Sequence, residues 1–167
     1  AKMVLGIDLR ILSVKLVELE DGKAINSAAV QVAPHLLHQH PQLENAKTDA
    51  LLKLIQEHRI RTREAVVVVG GNDTVVKLFT LSALPAQEVA EAIKYKLSQE
   101  IPFPVEDAIF DFYPIPDHGA SEKFDYAAAC ISRRLYQEIK YTIKQAGLKL
   151  VGVVVMEGGR GLAWVQE

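Results

Sequence analysis

The stretch "GIDLRILSVKLVEL" (residues 6–19) consists of two apolar segments separated by a turn at residues 10–12. Valine, isoleucine and leucine dominate both segments, as expected for strands that are covered on both faces. The dipeptide Asp21-Gly22 is a strong turn signal, and residues 23–32 then have the composition of a third strand. The start of the chain therefore predicts a three-stranded meander.

Further strands are predicted from β-branched and apolar runs bounded by glycine, proline or polar residues. They lie at residues 64–71, 73–81, 108–115, 124–131 and 149–156. The last two strands before residue 132 are separated by a short polar loop, so we expect them to form a hairpin. The rest of the chain is therefore mixed α/β.

Helices are predicted where apolar residues recur at helical spacing. Thr48 is the expected cap of the first helix, whereas Ser132 and Gly147 are expected to begin and end the third. The prolines of "IPFPVED" (residues 101–107) exclude a helix there, and the end of the chain is predicted as a flexible tail or a short helix. The three helices are predicted at residues 48–59, 85–99 and 133–146.

The composition indicates one domain of ordinary size or two small lobes. Of the 167 residues, 49% are apolar and 24% are charged, and the net charge of −2 gives no electrostatic reason to expect nucleic acid binding. The single cysteine, Cys130, excludes an internal disulfide and fits a reducing compartment. The apolar runs are far shorter than the roughly 20 residues that cross a bilayer.

Three stretches resemble the type IV pilus assembly family usually called PilM, a relative of the division protein FtsA and of actin. The opening hairpin is the first, and "LSALPAQEVAEAIKYKLSQEIPFPVEDAIFDF" (residues 81–112) is the most specific. The third is "DYAAACISRRLYQEIKYTIKQAGLKLVGVVV" (residues 125–155), a strand, a helix ending in Ala-Gly-Leu, and a strand. The resemblance covers nearly the whole chain but only the front half of the family's usual length.

The resemblance implies a partial actin-like (ribonuclease H-like) lobe built from residues 1–72 and 148–167. Residues 73–147 would form an inserted strand–helix–strand–strand subdomain of the SHS2 type, with its following helix, which serves protein contacts. The family's second phosphate hairpin and adenosine-contacting segments would lie outside these residues.

The opening hairpin matches a phosphate-binding hairpin only in part. By resemblance Asp8 is an acid near the metal, Ser13 a hydroxyl near phosphate, and Lys15 the basic residue after the turn. Arg10 replaces the glycine whose backbone approaches phosphate closely. Residues 11 and 12 are aliphatic where the family has hydroxyl residues, and burying phosphate against them is unfavourable.

We therefore expect a hairpin that is kept for its fold, with no catalytic residue. No cofactor is expected from this chain alone, and ATP with Mg²⁺ would bind only if a second half completed the site. The alternative interpretations are an actin-like ATPase completed in that way and a cytoplasmic platform module of a type II secretion system.

The resemblance implies a cytoplasmic scaffold of type IV pilus biogenesis that reaches the inner membrane through its partners. The expected partner is the N-terminal cytoplasmic peptide of a PilN-like bitopic membrane protein, held in a groove between the core lobe and the small subdomain. Other pilus assembly proteins and a second copy of the chain are further candidate partners. The residues predicted to contact the partner are Arg10, Leu12, Val76, Leu78, Phe79 and Phe103.

Other residue patterns have simpler explanations. His35, His38 and His40 have a spacing that can meet one transition metal, but nearby acids and cysteines are missing, so no metal site is predicted. Phe103 is expected to fill a gap at the elbow between helix and strand, and Cys130 to pack in a strand rather than act as a nucleophile.

Overall fold

The structure is a computed structural model that describes residues 1–116, 122–157 and 160–165. Nine strands and three helices lie within these ranges. Their bounds are β1 (Met3–Asp8), β2 (Ser13–Glu20), β3 (Lys23–Gln31), α1 (Gln42–Glu57), β4 (Glu64–Val69), β5 (Thr74–Ser82), α2 (Ala86–Ser98), β6 (Ala108–Ile115), β7 (Lys123–Ser132), α3 (Arg133–Gln145), β8 (Lys149–Glu157) and β9 (Arg160–Val165).

The strands form two sheets. The larger sheet has the order β3-β2-β1-β4-β8-β9, and the smaller has the order β5-β7-β6. Strands β1, β2 and β3 pair antiparallel in sequence, which confirms the predicted meander, and β1 pairs parallel with β4. The turn between β2 and β3 consists of Asp21 and Gly22, both at positive φ (49° and 82°), as a two-residue hairpin turn requires.

The first compact unit comprises Ala1–Val69 and Gln137–Val153. Strands β1, β2 and β4 alternate buried side chains with half-buried or exposed ones, and α1 lies against β2 and β3. Helix α1 contributes one buried stripe to this core. The fully buried side chains of the unit include Leu5, Ile7, Val14, Leu16, Leu51 and Val67.

The second compact unit comprises Gly70–Tyr136 and Val154–Glu167. Strands β6 and β7 form the predicted hairpin, and β5 pairs with the other side of β7. Helix α2 packs its apolar stripe on one face of this three-stranded sheet, where the buried cluster consists of Leu81, Val89, Ile93, Leu97, Ala128 and Cys130. The domain boundaries that the resemblance implies stay a prediction.

The structure corrects the start of the first helix. Helix α1 begins at Gln42 after Pro41, not at residue 48, and Thr48 lies inside it, where its hydroxyl donates to the carbonyl of Glu44 (3.0 Å). The sequence did not predict this start because the first turns of α1 are mainly polar and lack apolar residues at helical spacing.

Two further corrections concern the proline-rich elbow and the end of the chain. A single 3₁₀ turn, Val105–Asp107, follows Pro104, although no helix was predicted there. The predicted terminal helix is wrong, since β9 is a strand, and leucine and tryptophan alternate with small residues along it. Residues 117–121 of the predicted polar loop, and the glycines at 158 and 159, lie outside the described residues.

The two remaining helices agree with prediction in their extent. Helix α3 begins after Ser132, whose hydroxyl accepts the backbone N–H of Leu135 (3.0 Å), and Gly147 ends it at φ 76°. Helix α2 begins one residue after Pro85. Across the described residues, none of the helices is both long and apolar enough to span a bilayer.

Candidate functional site

The turn between β1 and β2 is closed by its own ion pair. Asp8 ends β1, and the guanidinium of Arg10 donates to both of its carboxylate oxygens, with Nη2–Oδ2 at 2.7 Å and Nε–Oδ1 at 3.0 Å. The backbone N–H of Arg10 also donates to Oδ1 of Asp8 (2.9 Å). The backbone amide of Arg10 is therefore bonded within the turn.

This pairing decides the charge state of the carboxylate. Burial raises the pKa of Asp8, but the hydrogen bonds and the charge of Arg10, together with the charge of Lys15, outweigh it and leave the pKa below its ordinary value. The hydrogen bond to Asp8 in turn raises the pKa of Arg10. Asp8 is therefore ionised at neutral pH, and a side chain of the same turn already contacts both of its oxygens.

The other two predicted phosphate-loop residues flank this pair. The hydroxyl of Ser13 donates a long hydrogen bond to the carbonyl of Arg10 (3.5 Å). Lys15 lies directly opposite Asp8 in the β1–β2 ladder and is exposed. The structure thus brings all four predicted residues to one turn, and their role toward a cofactor stays a prediction.

Ile11 and Leu12 differ in their exposure. Ile11 occupies the left-handed region (φ 57°) with 74% of its surface exposed. Leu12 is half-buried, and its carbonyl accepts the N–H of Val32 (2.7 Å). A β-branched residue at positive φ is a genuine backbone outlier, and outliers of this kind occur preferentially at functional sites.

Sequence reasoning missed Lys47, a residue of α1 that contacts the turn between β1 and β2. Its ammonium group is buried and donates to the carbonyl of Leu9. Burial lowers the pKa of Lys47, while the nearby charges of Glu44 and Asp8 oppose that shift. Lys47 shares one helical face with the buried Leu51 of α1, but this spacing becomes visible only when the helix starts at Gln42.

In the second unit, β5 presents its backbone at the edge of the three-stranded sheet. The N–H of Ser132 donates to the carbonyl of Asp73 (3.0 Å), and hydrogen-bonded pairs alternate along an antiparallel ladder. The backbone groups of Val76, Leu78 and Thr80 therefore point away from β7. Among the described strands, β5 pairs with β7 alone, so this side forms an open edge.

The alternation of side chains divides the four predicted contact residues of this unit. Val76 and Leu78 lie on the face opposite α2, and Leu78 is 64% exposed. Phe79 and Phe103 pack instead against the buried cluster under α2. Contact of any of these residues with a partner stays a prediction, but the geometry favours Val76 and Leu78.

A carboxylate occupies one position of the open edge. The N–H of Val76 donates to Oε2 of Glu157, the last residue of β8, at 3.0 Å. A side-chain oxygen thus takes the place that the carbonyl of a neighbouring strand would have. The next outward groups of β5 belong to Leu78 and Thr80, and the hydroxyl of Thr80 donates to Asp125 (2.6 Å).

The remaining candidate residues are the histidines and Cys130. The imidazole of His40 lies 3.5 Å from the carboxylate of Glu138. In the ranges that the structure describes, groups of three or more His, Cys, Asp or Glu side chains suited to a metal ion do not occur. Cys130 belongs to the buried cluster, and burial raises the pKa of its thiol to about 12, which opposes thiolate chemistry.

Solved structures that share this fold include two with a TM-score of 0.60 or higher. One is described as the "PilM-PilN type IV pilus biogenesis complex", with a TM-score of 0.76 and 22% identity over 91% of this chain and 47% of that chain. The other is the cytoplasmic domain of EpsL, an inner membrane component of the type II secretion system of Vibrio cholerae. It has a TM-score of 0.60 and 17% identity over 92% of this chain and 57% of that chain.

The fold therefore defines a mixed α/β protein of the kind found in these pilus and secretion components, and the predicted fold class is confirmed. A model of the family described as type IV pilus assembly protein PilM matches residues 6–157. The chain belongs to this family, as its resemblance predicted. It spans about half the length of the solved PilM chain that it matches.

Proposed function

We propose that this chain is a non-enzymatic scaffold of type IV pilus biogenesis that binds the N-terminal cytoplasmic peptide of a PilN-like inner-membrane protein. Its membership in the PilM family supports the pilus role. A solved relative is described as a complex of PilM with PilN, which supports the choice of partner. The scaffold would act on the cytoplasmic side and be held at the inner membrane by this partner.

The open edge of β5 is the observation that carries the proposal. An extended peptide can add to such an edge through its main chain, while alternate side chains meet pockets beside the strand. The outward groups of Leu78 and Thr80 would provide the main-chain bonds. The exposed side chain of Leu78 and the half-buried side chain of Val76 would contact the apolar residues of the peptide.

Glu157 defines where the added strand begins. Because its carboxylate already accepts the N–H of Val76, a peptide that extends past this residue must displace it. A hydrogen bond to a charged group contributes about 1.5–3 kcal/mol, so the carboxylate is an effective competitor. The peptide would therefore pair first with Leu78 and Thr80.

We further propose that the β1–β2 turn does not hold a nucleotide. The carboxylate of Asp8 would face Mg²⁺ and the backbone amide of Arg10 would face phosphate, but this amide donates to that carboxylate. The guanidinium of Arg10 donates to the same carboxylate. Exposed Ile11 offers a methyl-bearing surface where phosphate oxygens need donors. An apolar surface of this kind is better suited to a polypeptide.

The test is a titration of the chain with a synthetic peptide that covers the cytoplasmic tail of the PilN-like partner. We expect saturable binding and protection of Val76–Thr80 amides in hydrogen exchange. Glu157→Ala should bind about tenfold more tightly, equivalent to about 1.4 kcal/mol, because the edge is then free. Leu78→Asp should abolish binding.

Tyr95→Asp is the matched control, because Tyr95 is similarly exposed (66%) but lies on α2. It should leave the affinity unchanged. If the peptide protects no amide of β5, or if Leu78→Asp and Tyr95→Asp weaken binding equally, the proposed site on β5 is wrong.

A further inference from the structure

The outer strand of the larger sheet, β3, has an open edge with unusual composition. Among the strands that the structure describes, β3 pairs with β2 alone. Residues 24–31 contain no Asp, Glu, Lys, Arg or Pro, and most of their side chains are exposed. Natural edge strands usually carry lysine, proline or inward charges that prevent pairing with another chain, so this edge lacks the common protection.

The ladder to β2 shows which backbone groups of β3 are open. The N–H of Val32 donates to the carbonyl of Leu12 (2.7 Å), and hydrogen-bonded pairs alternate from there along the strand. The open N–H and C=O groups therefore belong to Ser27, Ala29 and Gln31. All three residues are exposed.

A β-bulge limits the regular edge at its other end. The β2–β3 register shifts beside Glu18 and Leu19, which leaves Ile25 as the additional residue of β3. Bulges twist a strand and interrupt pairing. The regular part of the edge is therefore Asn26–Gln31, and Ala29 is the middle one of its three outward residues.

We propose that a second copy of this chain pairs antiparallel with β3, about a two-fold axis at Ala29. This register joins Ala29 to its own copy and places Ser27 opposite Gln31, so all three outward residues meet a partner. Because the segment is uncharged, a copy of itself brings no like charges into opposition. The small side chains of Ser27 and Ala29 also allow close approach, and the contact is isologous, as closed dimers require.

Cysteine cross-linking tests the register. In a hydrogen-bonded antiparallel pair the Cα atoms lie about 5.5 Å apart, within the range of about 4.4–6.8 Å that a disulfide spans. Ala29→Cys should therefore form a disulfide-linked dimer on mild oxidation, and the native thiol does not interfere because Cys130 is buried. Ser27→Cys is the matched control, since its copy lies several residues away in this register.

Sedimentation analysis tests the association itself on the unmodified chain. We expect a monomer–dimer equilibrium over a concentration series. Ala29→Pro removes an N–H that, within the described part of the chain, no other group accepts, and it should weaken dimerisation at least tenfold. Ala29→Lys, which opposes two positive charges, should do the same and serves if the proline variant fails to fold.

Three results would overturn the proposal. The first is a chain that stays monomeric at every concentration tested. The second is equal cross-linking of Ala29→Cys and Ser27→Cys, which would indicate random collision. A dimer that persists unchanged in Ala29→Lys would likewise place the interface elsewhere.

Discussion

Position 11 combines a backbone conformation and a side chain that do not suit each other. Ile11 has φ 57° and is 74% exposed, so it has the cost of the left-handed region with little gain from burial. That cost is about 1–2 kcal/mol for an L-residue with a Cβ atom. We therefore expect Ile11→Gly to raise the free energy of unfolding by about 1 kcal/mol, measured by urea unfolding of the whole chain.

The control separates the backbone effect from the loss of the side chain. Ile11→Ala removes most of the side chain but keeps Cβ, so it should leave stability within about 0.5 kcal/mol of the unmodified chain. Leu12→Gly should destabilise, because Leu12 is half-buried and is not among the residues at positive φ. Equal stability of the glycine and alanine variants at position 11 would show that the turn stores no such strain.

Among the helices, α3 depends most clearly on one capping side chain. The hydroxyl of Ser132 accepts the N–H of Leu135, and Ser132 is buried. Ser132→Ala should lower the free energy of unfolding by about 1–2 kcal/mol, since the half-buried N–H of Leu135 then lacks its acceptor. Thermal or urea unfolding measures this change.

Thr48→Ala provides the comparison within the same chain. Its hydroxyl bonds to Glu44 inside α1 and caps nothing, and alanine is the better helix former. We expect this variant to be neutral or slightly stabilising, while Ser132→Asn should retain most of the cap. A large loss of stability from Thr48→Ala, with none from Ser132→Ala, would reverse the roles assigned to the two hydroxyls.

Helices α3 and α1 show which features the sequence predicts and which it does not. Ser132 directly precedes an apolar period and Gly147 follows it, so local signals defined α3 correctly. The start of α1 lacks such a period, and the buried Lys47 was missed with it. Its ammonium meets the carbonyl of Leu9 only through the tertiary fold, 38 residues apart.

The β1–β2 turn and β5 show the same limit. The candidate residues Asp8 and Arg10 were identified from their spacing, but their bidentate pairing depends on how the turn closes. The strand period places Phe79 on the α2 side and Leu78 on the opposite face once β5 is paired with β7. Which edge of β5 is open follows from sheet order, which composition does not determine.

For the molecule as a whole, the central question is whether it binds a nucleotide. In its β1–β2 hairpin, the guanidinium of Arg10 donates to Asp8 rather than staying open to a ligand. Phosphate-binding loops offer unpaired backbone N–H groups, and here the N–H of Arg10 is already used. The arrangement therefore predicts that this chain does not bind magnesium-ATP.

Calorimetric titration and thermal unfolding with magnesium-ATP measure this prediction directly. A ligand present at about one hundred times its Kd stabilises the folded state by about 2.7 kcal/mol, which raises Tm by about 2–4 °C per kcal/mol in a domain of this size. We expect neither saturable heat nor a shift in Tm. Micromolar binding that disappears in Asp8→Asn but persists in Lys2→Ala would place a nucleotide at the turn, because Asp8 ends β1 at the turn and Lys2 is exposed at the opposite end of β1.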